Sequence, residues 1–582
     1  MSFIMRPIRF ASTGHIIEGS GLFDGSSGFL SRTLSTPTDN NVWTFECIFK
    51  KPTNGSAMNL LNSTTGGTSQ AAVVFNGTTD EIRCFDYTGS FTWDIQASAK
   101  LRDPSAFYQL TVTVDTGNAA AADRVQLAIN GTRLTAYTTQ TNPSSAASSL
   151  INTASRVLAV GVKHDSTSEL FDGYVARGTF IDGQALDPTS FGEVTDDGFW
   201  QINDASELTF GTNGFLIEGG SAMAAGTDSS GNSNNFSKTG SIISTSDSPT
   251  SGGDEYGNMP VYNPLINSAG TVAFSAGNTV FTASSATISN CPLTFGAKSG
   301  KFYAECEIGS ATARDNQYFG IAEINWPEWE DSAAAQLGRT ANSAGIKINT
   351  GPLFKVLANT GTEQSFGITP AIGDRMICAF DADTGDVWMG IWDASAGTSN
   401  WIDSGTTVRT TDQPGSGTNP TQNWGAGELK TFGSSNRAFD SNNGTTTLHM
   451  HSSDWLGTVP SGFSMLATQN LPTPDVINYE DEYYIEAGIS HSNGSTTAVT
   501  LPTSVSGGAM ARIKRTDSTG DWFIFDTLRG ANKSRKWNSA EAEDTSTFDD
   551  QNLTGTTLTL PSDLASGTYL VEVFYVGSYF QI

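Results

Sequence analysis

The chain has 582 residues and a formal charge of −28, with 15% charged side chains, 61 glycines and 10% aromatics. That length divides into about three or four folding units, and scarce charge with plentiful Gly, Ser, Thr and Asn suits short strands joined by polar turns rather than helical bundles. The acidic field excludes nucleic acid and anionic membranes as partners. The start MSFIMRPIRFASTGH lacks the apolar core of a secretory signal and no run of about 18 apolar residues follows, so synthesis and folding in a cytoplasm, without membrane insertion, are expected.

WTFECIFKK, AAVVF and EIRCFDY open the chain's series of short β-rich runs. In FYQLTVTVD, residues 107–115, Tyr108, Leu110, Val112 and Val114 alternate with polar residues, the period of a half-buried strand. DRVQLAINGTRLTAY continues the alternation to Asn130-Gly131, the pair that accepts positive φ at both centres of a hairpin turn. RVLAVGV and GYVARGTFI add further runs. Residues 226–258 are rich in Ser, Gly, Asn and Asp and offer little to bury, so the first domain boundary is placed there. GKFYAECEIG, QYFGIAEINW and RMICAFDADTGDVWMGIW form a second block, in which Val387, Met389 and Ile391 alternate with Trp388, Gly390 and Trp392 after an Asp/Gly turn. NLPTPD, residues 470–475, interrupts regular structure with two prolines. The final run, GTYLVEVFYV, is apolar on nearly both faces, which predicts a central strand or one pressed against a neighbouring chain.

Acid chemistry is the first possibility to weigh. Residues 171–193 hold Asp172, Asp182, Asp187 and Glu193, but Asp172-Gly173 and Asp182-Gly183 are turn dipeptides. Glu305 and Glu307 share one face of a strand, as a retaining glycosidase pair about 5 Å apart would, with no other catalytic group beside them. His449 and His451 share a face without a third ligand nearby. His15, His164 and His491 stand alone. Asp381–Asp386 and Asp228–Asn235 offer alternating oxygens, yet neither reproduces a calcium-binding EF-hand loop. The five cysteines, Cys47, Cys84, Cys291, Cys306 and Cys378, are too widely spaced for a zinc site and read as buried thiols. Arg529, Lys533, Arg535 and Lys536 concentrate positive charge in a loop. The strongest recognition candidates are Trp326 and Trp329 flanking Glu328 in INWPEWEDS, because indoles stack on sugars and anchor interfaces, although packing into the core is the more frequent fate of such a pair. No catalytic residue, metal site or cofactor is expected, and the chain is read as non-enzymatic.

The motifs FDGSSGFLSRT, WTFECIFKK, RDPSAFYQLTVTVDT, LAINGTRL and FDGYVARGTFIDGQALDPTSFGE, in that order, resemble the laminin-G-like, concanavalin A-type lectin sandwich of tailed-bacteriophage tail and appendage proteins. GKFYAECEIG, YFGIAEI and IGDRMICAFDADTGDVWMGIW resemble a SPRY-type sandwich, and FDTLRGANKS a small β-domain that ends such chains. The resemblance implies an all-β chain of serial β-sandwich domains: an N-terminal segment at 1–19, a concanavalin A-like jelly roll at 20–240, a linker at 241–268, a SPRY-like sandwich at 269–469, a proline-containing linker at 470–479 and a C-terminal β-domain at 480–582. It further implies a virion protein, a tail fibre or appendage, assembled as a homotrimer with other virion proteins and recognising a host-surface glycan or protein. The alternatives are a purely structural appendage or head-decoration protein, and a glycan depolymerase.

Overall fold

In the computed structural model, residues 14–575 are described apart from 67, 196–198, 253–254, 267–270, 310–316, 331–335, 341, 349–353, 359–362, 403–407, 410–413, 415–419, 439–442, 472–482, 502–503, 506–507, 537–541, 545–547 and 549. The chain is all-β and forms two compact units, Met1–Pro472 and Thr473–Ile582. Among the described residues no helix is long and apolar enough to cross a membrane.

The first unit contains two sandwiches. In the first, one eight-stranded sheet runs Thr132–Arg133, Val125–Ile129, Phe107–Asp115, Val42–Lys50, Asp172–Asp182, Ser20–Asp24 and Ile242–Thr245, with Phe215–Glu218 also on the Asp172–Asp182 strand. A second eight-stranded sheet packs on it, and Phe45, Cys47, Phe49, Val73, Cys84, Trp93, Leu110 and Val112 fill the space between. The expected strand at 107–115 is present, and the Asn130-Gly131 turn has φ of 46° and 74°. All five cysteines are buried and unpaired with one another.

Asp86 projects into this interior at 1% exposure, its Oδ2 accepting the Leu150 N–H at 2.7 Å. Burial pushes its carboxyl up from 3.8 to about 7, against the Leu150 hydrogen bond and the Arg156 charge. Between those values the folded chain holds a proton that the unfolded chain has lost, so stability falls as pH rises through this window. Asp86→Asn is expected to raise the melting temperature at pH 8 and to leave it unchanged at pH 4; equal shifts at the two pH values would contradict this.

The second sandwich has a ten-stranded sheet, built around Lys301–Ile308, Arg375–Asp381, Asp386–Asp393 and Gly444–His449, and a six-stranded sheet around Lys430–Asn436, Gln317–Glu323 and Ser343–Ile348. Val387, Met389 and Ile391 enter its core, while Trp388 and Trp401 face outward beneath Phe463 and Trp455.

Within the segment expected to be a linker at 241–268, the described residues 242–250 are built into the first sandwich. Ile242–Thr245 pairs with Ser20–Asp24 in the first sandwich, and Ser246, Asp247, Ser248 and Thr250 are buried. The polar composition that suggests a solvated tether instead serves internal bonds: Ser248 Oγ donates to Ile17 O at 2.7 Å and Ser20 Oγ to Asp247 O at 2.6 Å. Farther on, Met259 and Tyr262 enter the second core while Val261 packs with Ile17, Ile48, Phe107 and Tyr174 of the first. The two sandwiches therefore share a buried seam.

In the second unit, Gly567–Tyr575 lies between Tyr483–His491 and Ala509–Arg515, second in a five-stranded sheet and so paired on both edges. Tyr569, Val571, Val573 and Tyr575 face the core.

Candidate functional site

The outer face of the first sheet, opposite the core, carries a buried polar network among apolar residues. Glu46 stands opposite Thr179 and Thr111 in the ladder, and a register shift between Val175 and Arg177 turns Ala176 and Arg177 toward this same face. Arg177 and Glu46 are both fully buried, with Arg177 NH2 2.9 Å from Glu46 Oε1. Residues 183–195 and 199–214 cover this network, and His15 Nε2 closes its rim 2.7 Å from Glu218 Oε1.

Neither Asp172 nor Asp182 is a plain turn residue; they open and close one strand whose eleven residues are all buried. Asp172 accepts the Gly277 N–H at 2.7 Å and the Thr53 hydroxyl at 2.8 Å, so it bridges the seam. Asp182 accepts from Thr38 N, Asp39 N, Asn213 N and Asn152 Nδ2 at 2.6–3.2 Å. The turn itself falls to Gly183, at φ +97°. Asp187 caps a short turn at Thr189 N, and Glu193 is exposed.

Glu305 is fully buried and saturated: Tyr303 OH, Arg375 NH1, Leu456 N and Gly457 N donate to it at 2.8–3.0 Å. Glu307 meets His449 Nε2 at 3.2 Å, and His451 Nδ1 caps the turn at Ser453 N. The leading carboxylates of both loops are committed to backbone N–H groups: Asp228 accepts from Ser230 N and Asn234 N of its loop and from Leu216 N of the Phe215–Glu218 strand, and Asp381 from Asp383 N and Thr384 N. Among the described residues no group of three His, Cys, Asp or Glu is placed to hold a metal ion. In the basic loop, Arg529 pairs with Asp526 and Lys536 with Asp521.

Trp326 and Trp329 are 3% and 1% exposed, with rings 4.9 Å apart edge to face. Their N–H groups donate inward, to Thr340 Oγ1 and Glu323 O, both at 2.9 Å. Neither indole offers a face to a ligand, and Glu328 contributes its backbone carbonyl to Asn290 Nδ2 at 2.8 Å. Trp326→Phe is expected to cost about 1 kcal/mol, the value of the lost hydrogen bond, in a denaturant titration.

An exposed aromatic surface lies elsewhere. On Glu81–Thr88 and Phe91–Lys100, the residues facing away from the first core are Arg83, Phe85, Tyr87, Phe91 and Asp94. Phe91 is 43% exposed. Its ring meets Phe85 and Tyr87 edge to face at 5.3 and 5.1 Å, and the Arg83 guanidinium lies 4.4 Å from its centroid. Asp94 holds that guanidinium through two hydrogen bonds of 2.7 and 2.6 Å. On the other sheet a polar cleft of about 190 Å³ is lined by Thr111, Thr113, Gln126, Arg133, Asp187 and Pro188. Alternation in EIRCFDY is the signal for the first surface: with Ile82 and Cys84 inward, an arginine and two aromatics must face out.

No protein-family model and no curated protein matches the chain. Solved structures similar to it include the mouse laminin alpha1 chain domains LG4-5, at 8% identity and TM-score 0.27 over 77% of this chain and 92% of that one. A human SPRY domain is similar at 14% identity and TM-score 0.21, covering 31% of this chain and 94% of that one. A putative carbohydrate binding protein from Bacteroides ovatus is similar at 10% identity and TM-score 0.26, over 39% and 60% of the two chains. At these identities and scores the functional reading rests on the chain's own residues.

Proposed function

We propose that this chain is a non-catalytic recognition protein of a tailed-bacteriophage tail fibre or appendage, whose first sandwich meets a host-surface glycan or protein through the Phe91 face. One observation carries the reading: a large ring is 43% exposed and held in place by a guanidinium that is itself bonded to a carboxylate. Exposing such a ring forgoes burial energy, and aromatic and arginine side chains supply much of the energy at protein contacts. Adhesion is the mechanism: weak single contacts strengthened by linked copies in a homotrimer alongside other virion proteins. The glycosidase alternative loses support from Glu305, all of whose acceptor capacity is committed to internal donors. A purely structural appendage draws support from the buried seam, which stiffens the first unit.

Phe91→Ala is expected to weaken binding of the purified chain to intact cells of a plating host by tenfold or more, equivalent to about 1.4 kcal/mol, with the unfolding transition nearly unchanged. Undiminished binding by that variant would remove the reading.

A further inference from the structure

Lys50 ends the Val42–Lys50 strand with its side chain fully buried. The ladder sets its neighbours, because Phe107 and Tyr174 lie directly opposite it on the two adjoining strands. Their ring centroids stand 5.2 and 4.8 Å from Nζ. Into this aromatic box the seam delivers Asp247 and Asn258. Asp247 Oδ2 touches Lys50 Nζ, the Asn258 carbonyl Oδ1 stands 3.0 Å from the same nitrogen, and Met259 O accepts from it at 2.9 Å. The Asn258 side chain is held in this orientation by donating from Nδ2 to Ser105 O at 2.7 Å, and Asp247 by accepting the Met259 N–H at 3.1 Å.

We infer that Lys50 and Asn258 join in a self-formed intramolecular amide, with Asp247 carrying the proton. The free amine of Lys50 adds to Cγ of Asn258, which lies one C=O bond, about 1.2 Å, beyond Oδ1. The acid form of Asp247 protonates the developing oxyanion, and its carboxylate then takes the surplus proton from the former amine. That proton passes to the carboxamide nitrogen, the Cγ–Nδ2 bond breaks and ammonia leaves, and the proton on the oxygen returns to Asp247 as the carbonyl re-forms, which restores its acid form. Amine plus carboxamide gives secondary amide plus ammonia, so no oxidant, metal or cofactor enters the balance.

Burial opposes both charges of the pair. Burial lowers the Lys50 ammonium from the usual lysine range despite the pull of Asp247, and burial raises the Asp247 carboxyl despite the Lys50 charge. Prealigned groups in an enclosed site also avoid the entropy cost of encounter and the competition of water.

The next residue provides an internal contrast. Lys51 is equally buried, with Asn54 Oδ1 at 2.9 Å and Asp80 Oδ1 at 3.1 Å. Asp80, however, also accepts from Gly55 N at 2.7 Å and Arg102 Nε at 3.0 Å. Burial alone would raise its carboxyl, but these donors and Lys51 outweigh that and hold it below the ordinary value. It stays a carboxylate with no proton to give, and Lys51 stays in an ion pair. The Lys50 amide would matter mechanically: Asn258 N–H donates to Thr468 Oγ1 at 2.9 Å and Thr468 N–H donates to Asn258 O at 3.0 Å, so the bond would staple the first sandwich to the segment entering the second.

Intact-mass measurement of the purified full chain, followed by digestion, tests the inference on the wild type itself. The expected chain is about 17 Da lighter than its sequence, one ammonia lost to the lysine nucleophile, with a linked peptide pair containing Lys50 and Asn258. Lys50→Ala and Asp247→Ala should restore the sequence mass, and Lys51→Ala should leave the deficit in place. A wild-type chain at its full sequence mass overturns the inference. So does a loss of water mapped to Asp247, or a link mapped to Lys51.

Discussion

Arg177→Ala is expected to destabilise the first sandwich by about 3–5 kcal/mol, the usual cost of stranding one member of a buried ion pair. All five guanidinium N–H groups are engaged: Nε and NH2 with Glu46 at 2.9–3.1 Å, NH2 also with Phe191 O at 3.3 Å, and NH1 with Asn203 O at 2.8 Å and Glu218 Oε2 at 3.3 Å. Without them Glu46 keeps only Thr179 Oγ1 and Gln109 Nε2, at 2.8 and 2.7 Å, and remains a fully buried charge. The segments around Phe191 and Asn203 also lose the carbonyl anchors that hold them over the sheet. Guanidinium chloride titration of the two chains reads the loss directly. The double variant Arg177→Met, Glu46→Leu should recover much of it, since a well-packed apolar pair does not carry the desolvation cost of two ions. A single variant within about 1 kcal/mol of wild type, the range of exposed pairs, would mean that water reaches this network.

Asp182→Ala is expected to cost at least about 3 kcal/mol, because each buried donor left without an acceptor is worth about 1–3 kcal/mol. Four donors from three separate segments converge on this carboxylate: Thr38 and Asp39 from one, Asn152 from another and Asn213 from the third. Its side chain thus replaces a core contact where the loops at that end of the sandwich meet. Asp182→Asn, which keeps one carbonyl acceptor but brings an N–H toward backbone N–H groups, should lose nearly as much. Equal melting of wild type and Asp182→Ala would refute the hub assignment and restore the turn reading.

What the sequence made legible was periodicity. Alternation at 107–115 and 387–392, the Asn130-Gly131 turn and the apolar final strand all follow from the backbone's period of two and from the need of positive φ for particular residues. Alternation also separates one face from the other, but it does not reveal whether a polar face meets water. Gln109 and Thr111 look solvent-facing in sequence, yet both lie buried, Gln109 bonded to Phe191 O and Trp200 Nε1. Composition failed similarly at 241–268: serine, threonine and aspartate signal a tether when solvated and a seam when each finds a buried partner, and the partners are more than two hundred residues away. Asp172 illustrates the same limit, since its principal donor, Gly277, lies 105 residues downstream. For Trp326 and Trp329 the loop-like setting around Pro327 was legible, while the pocket that encloses their rings depends on residues such as Leu337 and Ala322.

Under the proposed function, the first sandwich would present its Phe91 face at the free end of a virion appendage. Cryo-electron microscopy of intact particles decorated with antibody fragments against residues 20–240 tests it most directly. Label at the distal tips of projecting tail fibres is the predicted result; label over the capsid or along the tail tube would contradict the claim and leave a structural protein.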